Sequence, residues 1–196
     1  HVRVFERSGD SWVQLGDDID GEAEGDTSGR SISLSADGSR VAVGADHNQD
    51  GGYEAGHVRV FELSGGGWVQ LGADIDGDAF DYSGSSGAWG GLTTTVSLSA
   101  NGARVAAGAS SKHIGGPDYW DDDDDDENQS YGQVRVYELS GGGWLQLGAD
   151  INGESEWDYS GCSVSLSADG SRVAVGANGN DGGISSPRDS GSNAGH

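Results

Sequence analysis

The stretch SISLSADGSRVAVGADHNQDGGYEAGHVRVFELSGGGWVQLGADI, residues 31–75, contains four segments that recur in the same order along this chain of 196 residues. The copies of these segments begin at the following residues: SISLSADG at Ser31, Thr95 and Ser163; RVAVGA at Arg40, Arg104 and Arg172; HVRVFE at His1, His57 and Gln133; WVQLG at Trp12, Trp68 and Trp144. Self-similarity in a fixed order is typical of repeat architectures, in which neighbouring copies bury a shared core.

Each recurring segment has the pattern of a short β-strand. In SISLS, Ile32 and Leu34 alternate with serines, which predicts a strand with one buried face. Asp37-Gly38 follows at once, and Asp-Gly between two such runs favours a tight hairpin. RVAVGA is small and apolar on both faces, so its strand is predicted to be buried on both sides.

Four such strands would form one antiparallel sheet, which cannot bury both of its faces alone, so the copies must stack. The pattern favours an all-β fold, a β-propeller of four-stranded antiparallel blades, with about three blades' worth of strands in a circularly offset arrangement. A sandwich and a β-solenoid are the alternatives. The single predicted unit, 1–196, divides into half a blade at 1–19, a blade at 28–76, a blade at 92–152 with an acidic insertion at 110–131, and half a blade plus a tail at 161–196.

The composition limits the classes of partner. Asp and Glu number 33 against 10 Lys and Arg, which gives a formal net charge of −23. This charge argues against nucleic acid and against anionic membrane surfaces, because both attract basic patches. No apolar run approaches the ~18 residues of a membrane span, so no membrane insertion is expected. Acidic loops either stay solvated or collect divalent cations.

A short acidic motif, Asp-x-[Asp/Asn]-Gly-[Asp/Glu], follows the tryptophan strand in every copy. Alternating oxygen ligands around a glycine turn suit calcium, which takes about six to eight hard oxygen ligands. The predicted calcium ligands are Asp18, Asp20, Glu22, Asp74, Asp76, Asp78, Asp150, Asn152 and Glu154. The alternative is a plain turn between sheets, in which the Asp side chains cap backbone amides. A weaker candidate set follows RVAVGA and comprises Asp46, Asn48, Asp50, Asn178, Asn180 and Asp181.

The tryptophans fall into two groups. Trp12, Trp68 and Trp144 occupy one repeated strand position, which predicts that they pack between sheets. The other three are not equivalent and lie in loops, where they either line a sugar or protein site or anchor the loops. These candidate ligand-binding residues are Trp89, Trp120 and Trp157. Asn128 begins an Asn-Gln-Ser glycosylation sequon, which has meaning only in a secreted eukaryotic protein.

Motifs for catalysis are absent from the sequence. None of the five histidines is spaced from a cysteine or from another histidine as zinc ligands usually are. The sequence contains neither a nucleophile elbow nor a phosphate-binding GxxxxGK[ST] loop. The chain is therefore predicted not to be an enzyme.

The repeat resembles the FG-GAP repeat of integrin α-chain propellers and of their bacterial and algal relatives. The segments that carry the resemblance are Ser28–Leu34, Arg40–Ala45 and Gly56–Phe61, which look like the first three strands of that repeat. The resemblance implies an extracellular or cell-surface propeller, of roughly seven blades in full, used for adhesion or ligand binding. That family commonly holds calcium between its first two strands, where this chain has only the tight turn Ala36–Ser39, so that metal site is not carried over.

These observations predict a non-enzymatic extracellular repeat module for adhesion or structural assembly, stabilised by calcium. The expected partners are other copies or further blades of the same protein, or an extracellular protein or glycan. The edge at Arg172–Ala177 is expected to pair with Val2–Glu6 of the next piece. The alternatives are a carbohydrate-binding lectin that uses the loop tryptophans and the propeller scaffold of an enzyme.

Overall fold

The protein is built from short antiparallel β-strands. A computed structural model describes residues 1–50, 55–77, 95–110, 131–155 and 158–180. The strands in these ranges are β1 Phe5–Ser8, β2 Ser11–Gln14, β3 Ser31–Leu34, β4 Arg40–Ala45, β5 His57–Ser64, β6 Gly67–Gln70, β7 Ile75–Asp76, β8 Thr95–Leu98, β9 Arg104–Ala109, β10 Gln133–Ser140, β11 Gly143–Gln146, β12 Ile151–Asn152, β13 Ser160–Leu166 and β14 Val173–Ala177. The prediction of an all-β fold is confirmed. Within these ranges, no helix is long and apolar enough to cross a membrane.

The strands form four sheets, which we call A to D. Sheet A is the hairpin β1–β2, and sheet D is the hairpin β13–β14. Sheet B has the order β3-β4-β5-β6, and sheet C repeats it as β8-β9-β10-β11. The last strand of sheets B and C is interrupted, so that β7 pairs with the start of β5 and β12 with the start of β10. Each sheet is thus a meander of chain neighbours, and the propeller arrangement of these sheets stays a prediction.

The Asp-Gly hairpin between the first two strands of a sheet is held by the aspartate itself. Asp37 Oδ1 accepts the backbone N–H of Ser39 at 2.9 Å and the hydroxyl of Ser35 at 2.7 Å. Gly38 has a φ of 70°, a left-handed conformation that glycine adopts without steric cost. The hydrogen bonds lower the pKa of Asp37 to about 2, chiefly through the Ser39 N–H. In sheet C, Asn101 Oδ1 accepts the equivalent bonds.

The second strand of each complete sheet is buried on both faces, as predicted for RVAVGA. In β4, Val41 and Val43 pack against Val2 and Val4, which immediately precede sheet A. Ala42, between those two valines, belongs to a second cluster that extends into sheet C. The sheets are therefore stacked in chain order, and the A–B and B–C junctions each have their own apolar core.

Polar contacts repeat at the junctions with the same geometry. The indole Nε1 of Trp68 donates to the Leu15 carbonyl of sheet A at 2.7 Å, and Trp144 donates to the Leu71 carbonyl of sheet B at 2.8 Å. The guanidinium of Arg40 donates to the carbonyls of Asn101 and Gly102 in sheet C. The prediction that the repeated tryptophan packs between sheets is confirmed for Trp68 and Trp144.

The first strand departs from the prediction in one copy. Val96 and Leu98 of β8 are 8% and 7% exposed, because they face sheet B. The equivalent Ile32 and Leu34 of β3 are 55% and 49% exposed, so the prediction of a buried face is wrong for this copy. The alternating pattern marks a face that can be buried, but sheet A has only the strands equivalent to β5 and β6, which do not reach β3.

Replacing Trp68 tests the packing at the junction. Trp68→Ala should lower the free energy of unfolding by about 3 kcal/mol, the lower end of the range for truncating a packed tryptophan. Trp12 occupies the same strand position but is 70% exposed in the single chain, so at protein concentrations too low for self-association Trp12→Ala should change stability by no more than about 0.5 kcal/mol. Denaturant unfolding of both variants measures the difference, and equal losses would contradict the packing role.

The hairpin aspartates should make stability depend on pH in the acid range. The pKa of Asp169, like that of Asp37, is lowered to about 2, here chiefly by the Ser167 hydroxyl. A pKa below the unfolded value of 3.8 contributes stability above pH 3.8 that is lost as pH falls towards about 2. The double variant Asp37→Asn, Asp169→Asn copies Asn101 and should lack this component.

Denaturant unfolding of the chain and of the double variant at pH 7, 4 and 2 provides the measurement. The difference in unfolding free energy between the two proteins should be constant from pH 7 to near pH 4. Below pH 4 the parent should lose stability relative to the double variant. A difference that stays constant down to pH 2 would show that the turn bonds do not depend on the ionised carboxylate.

Candidate functional site

The acidic motif after β11 is neutralised by side chains of the protein. Arg135 donates through Nε to Asp150 Oδ1 at 3.0 Å and through Nη2 to Oδ2 at 3.2 Å. Gln133 donates to Asp150 Oδ2 at 2.5 Å and to Asn152 Oδ1 at 3.2 Å. The carboxylate of Asp150 is thus occupied by protein donors, while Glu154 uses its backbone N–H to bind the Asp158 side chain.

The motif after β2 is spread out rather than gathered around one point. Asp18 accepts the Gln14 amide at 2.7 Å and lies 3.9 Å from Nε2 of His1. The Asp20 side chain is exposed, and its carbonyl accepts Nη2 of Arg59 at 2.7 Å. Glu22 instead extends towards the following sheet.

Glu22 takes part in an acidic cluster at the junction of sheets A and B. Glu22, Asp50, His57 and Asp74 each place one potential ligand atom within 4.8 Å of the other three. The residues come from four separate places in the sequence: the turn after sheet A, the loop after β4, the first residue of β5 and the turn before β7. We call this group the His57 cluster.

His57 lies at the centre of the His57 cluster. Its side chain is 1% exposed, and within the described ranges its Nδ1 atom has no hydrogen-bond partner. The Nδ1 atom lies 3.6 Å from Glu22 Oε2 and 3.8 Å from Asp74 Oδ2. Burial of an unsatisfied ring nitrogen is costly, so this geometry calls for a ligand or a proton at Nδ1.

The electrostatics of the His57 cluster are strongly negative. The pKa of the neighbouring Asp76 is raised, first by burial and then by the charge of Asp74, with a smaller contribution from Asp50 and an opposing one from His57. Arg59 is the positive group next to the cluster, with Nη1 3.6 Å from Glu22 Oε1. A cation placed between the carboxylates would relieve their repulsion.

The weaker candidate set has a structural role where it is described. Asn48 is buried, and its amide donates to Asp26 Oδ2 at 3.3 Å and to Asp50 Oδ2 at 3.4 Å. Asp26 is also buried and accepts the backbone N–H of Ala23 at 3.0 Å. Asn180 makes the same contact to the buried Asp158 at 3.0 Å. Asp26 and Asp158, which follow the first and third acidic motifs, therefore hold their turns in place.

The remaining predicted site residues are only partly covered by the described ranges. Asp46 is buried and accepts the hydroxyl of Thr27, whereas Asn178 is exposed. Several candidates lie outside the described residues, namely Asp78, Trp89, Trp120, Asn128, Trp157 and Asp181. Calcium binding by the three acidic motifs stays a prediction.

His57 is the site residue that sequence reasoning missed. The search for zinc ligands compared spacings along the chain, whereas the partners of His57 are brought to it by the stacking of two sheets. A signal was present in the repeat alignment, since the position of His57 is occupied by Gln133 in the next copy. An ionisable residue at a buried position where another copy has an amide indicates a local difference in chemistry.

A second surface feature is the face that sheets A and B present on the side away from sheet C. Phe5 is exposed, whereas the equivalent Phe61 is buried. Trp12, Ile32 and Leu34 are also exposed on this side. The residues at the equivalent positions of the next copy are buried or half-buried at a junction. We call this surface the open face.

Comparisons with known proteins assign neither a family nor a function to the chain. No protein-family model matches the chain, and no curated protein matches it. The FG-GAP resemblance therefore stands on the quoted segments alone.

Truncating Asp26 tests the locked turn. Asp26→Ala should cost about 2 kcal/mol of unfolding free energy, since it removes the acceptor of the Ala23 N–H and one of the two carboxylates that accept the buried Asn48 amide. Glu24 is exposed in the same turn, and Glu24→Ala should stay within about 0.5 kcal/mol of the parent. Chemical denaturation measures both, and a neutral Asp26→Ala would mean that the turn does not need the carboxylate.

Proposed function

We propose that this chain is a non-enzymatic structural module whose two end sheets are complementary, so that a second copy completes them. The observation that carries this proposal is a clamp that recurs at the sheet junctions. Arg40 binds Glu62 of its own sheet at 2.7 Å and also the carbonyls of the next sheet. Arg104 repeats this arrangement with Glu138 at 2.7 Å and with the carbonyls of sheet D.

The repeat supplies one further arginine and one further glutamate at the positions of Arg40 and Glu62. Arg172, immediately before β14, is exposed, and Glu6 is exposed in sheet A. Within sheet B, the register pairs Arg40 with Glu62 across β4 and β5. The same register between β14 of one copy and Val2–Glu6 of another would pair Arg172 with Glu6 and form one four-stranded sheet.

The open face would be covered in the same step. In the observed junctions, Ser33 Oγ accepts the Leu98 N–H at 2.9 Å, and Ser97 Oγ accepts the Leu166 N–H at 3.0 Å. By the same rule, Ser165 of the second copy would accept the Leu34 N–H and would bring β13 over Ile32 and Leu34. Burial of exposed apolar side chains would drive the association, because it removes apolar area from water.

Four-stranded meanders that stack in chain order are the kind of unit from which propellers of about four to eight blades are built. Together with the FG-GAP resemblance, this supports a propeller module for adhesion or assembly at the cell surface or outside the cell.

A charge exchange tests the proposed junction. Arg172→Glu and Glu6→Arg should each weaken self-association, because each places like charges opposite one another in the new sheet. The double variant restores an opposite-charge pair and should recover association to near the parent level. Sedimentation velocity over a concentration series measures the three variants beside the parent chain.

A second pair of variants separates the open face from general effects of surface charge. Leu34→Glu should abolish association, whereas Val69→Glu should leave it unchanged. Val69 is 56% exposed even though sheet C is stacked beside its sheet, so it is not part of a junction. A parent chain that remains monomeric at all concentrations, or variants at Leu34 and Val69 that behave alike, would contradict the proposed function.

A further inference from the structure

We propose that the His57 cluster is a binding site for one divalent ion of the zinc class, formed where sheets A and B meet. The ligands would be Nδ1 of His57 and one carboxylate oxygen each from Glu22, Asp50 and Asp74. The site lies within a single copy of the chain, so it does not depend on the proposed assembly.

The distances fit an ion better than direct contacts between the side chains. The separations of 3.6 and 3.8 Å from His57 Nδ1 to Glu22 and Asp74 exceed the usual range of a hydrogen bond. Around a tetrahedral zinc ion with bonds of about 2.0 to 2.2 Å, neighbouring ligand atoms lie about 3.4 Å apart. A small movement of the carboxylates would therefore bring them to zinc distances.

The carboxylates are already oriented by other groups of the protein. Gln70 donates to Asp74 Oδ1 at 2.5 Å, which leaves Oδ2 facing the imidazole. Arg59 lies beside Oε1 of Glu22, which leaves Oε2 facing the imidazole in the same way. The Asn48 amide holds one oxygen of Asp50. Metal ligands are commonly fixed by such neighbouring donors, which orient the ligand and tune its basicity.

The donor set favours zinc over calcium. A neutral imidazole nitrogen is a common ligand of zinc, whereas calcium prefers about six to eight oxygen ligands. The His57 cluster offers one nitrogen and three carboxylates, which matches the four positions of a tetrahedral ion. The ion would also offset the repulsion among the three carboxylates.

Sheet C shows how the same scaffold is neutralised without an ion. At the position of His57 it has Gln133, whose amide binds the carboxylate of Asp150. Arg135 also donates to the Asp150 carboxylate. The equivalent Arg59 donates to the Asp20 carbonyl instead, and the carboxylate of Asp74, which is equivalent to Asp150, lies beside His57. The two copies thus differ at the positions that would distinguish a metal site from a plain turn.

Calorimetric titration with Zn²⁺ in the presence of excess Ca²⁺ tests the proposal, because the calcium occupies loose acidic sites elsewhere on the chain. We expect saturable binding of one zinc ion per chain. His57→Gln, which copies sheet C, should weaken zinc binding by more than about 100-fold, since loss of an outer partner alone costs about 10- to 100-fold. Glu22→Gln should also weaken binding, and the exposed Glu24→Gln should not.

Two further measurements distinguish the loss of a metal ligand from misfolding. Thermal unfolding in the presence of chelator establishes that His57→Gln and Glu22→Gln fold like the parent. Co²⁺ in place of zinc should give the visible absorption of a tetrahedral site in the parent and lose it in His57→Gln. Zinc binding that persists in both variants, or that calcium displaces, would overturn the proposal and leave His57 as a buried imidazole ion-paired to its neighbours.

Discussion

The stack of sheets depends on the burial of the second strand of sheets B and C between two neighbouring sheets. Val41 and Val43 of β4 face one neighbour, and Ala42 faces the other. A meander of four short strands has too little apolar area to be stable alone, so the stack is the unit of folding rather than the sheet. The small side chains of RVAVGA allow the close approach that this burial requires. A Cβ atom on Gly108 would lie only 2.3 Å from the Gly161 carbonyl oxygen of the next sheet.

Polar groups set the register within this apolar stack. The indole of Trp144 and the guanidinium of Arg104 donate to backbone carbonyl oxygens of adjacent sheets. The serine hydroxyls of the first strand do the same for backbone N–H groups. Each of these bonds joins a donor in one sheet to an acceptor in the neighbouring sheet, so they recur at the A–B, B–C and C–D junctions. The proposed assembly extends the same rule to the strands that have one neighbour.

The differences between copies are more informative about chemistry than the similarities. Asn101 stands for Asp37 in a hairpin that needs only an acceptor, so charge is optional there. Gln133 stands for His57 at a position that is buried in both copies, and the neighbouring arginine changes its partner accordingly. The repeat therefore provides an internal comparison. The same buried position carries an amide in sheet C and an imidazole surrounded by carboxylates in sheet B.

The sequence by itself determined the main strands, their order, the Asp-Gly hairpins and the double burial of RVAVGA in sheets B and C, because these follow from alternation and turn chemistry within a few residues. The third copy, in β14, is only partly buried because no sheet in the described ranges covers its outer face. It also identified Trp68 as a packing residue, since the repeat places a tryptophan at the same position in each copy. It could not show that Ile32 is exposed while Val96 is buried, because burial depends on which strands the neighbouring sheet supplies. Nor could it gather the His57 cluster. Glu22 and His57 are far apart in the chain, and only the stacking of sheet A on sheet B brings their side chains within reach of one ion.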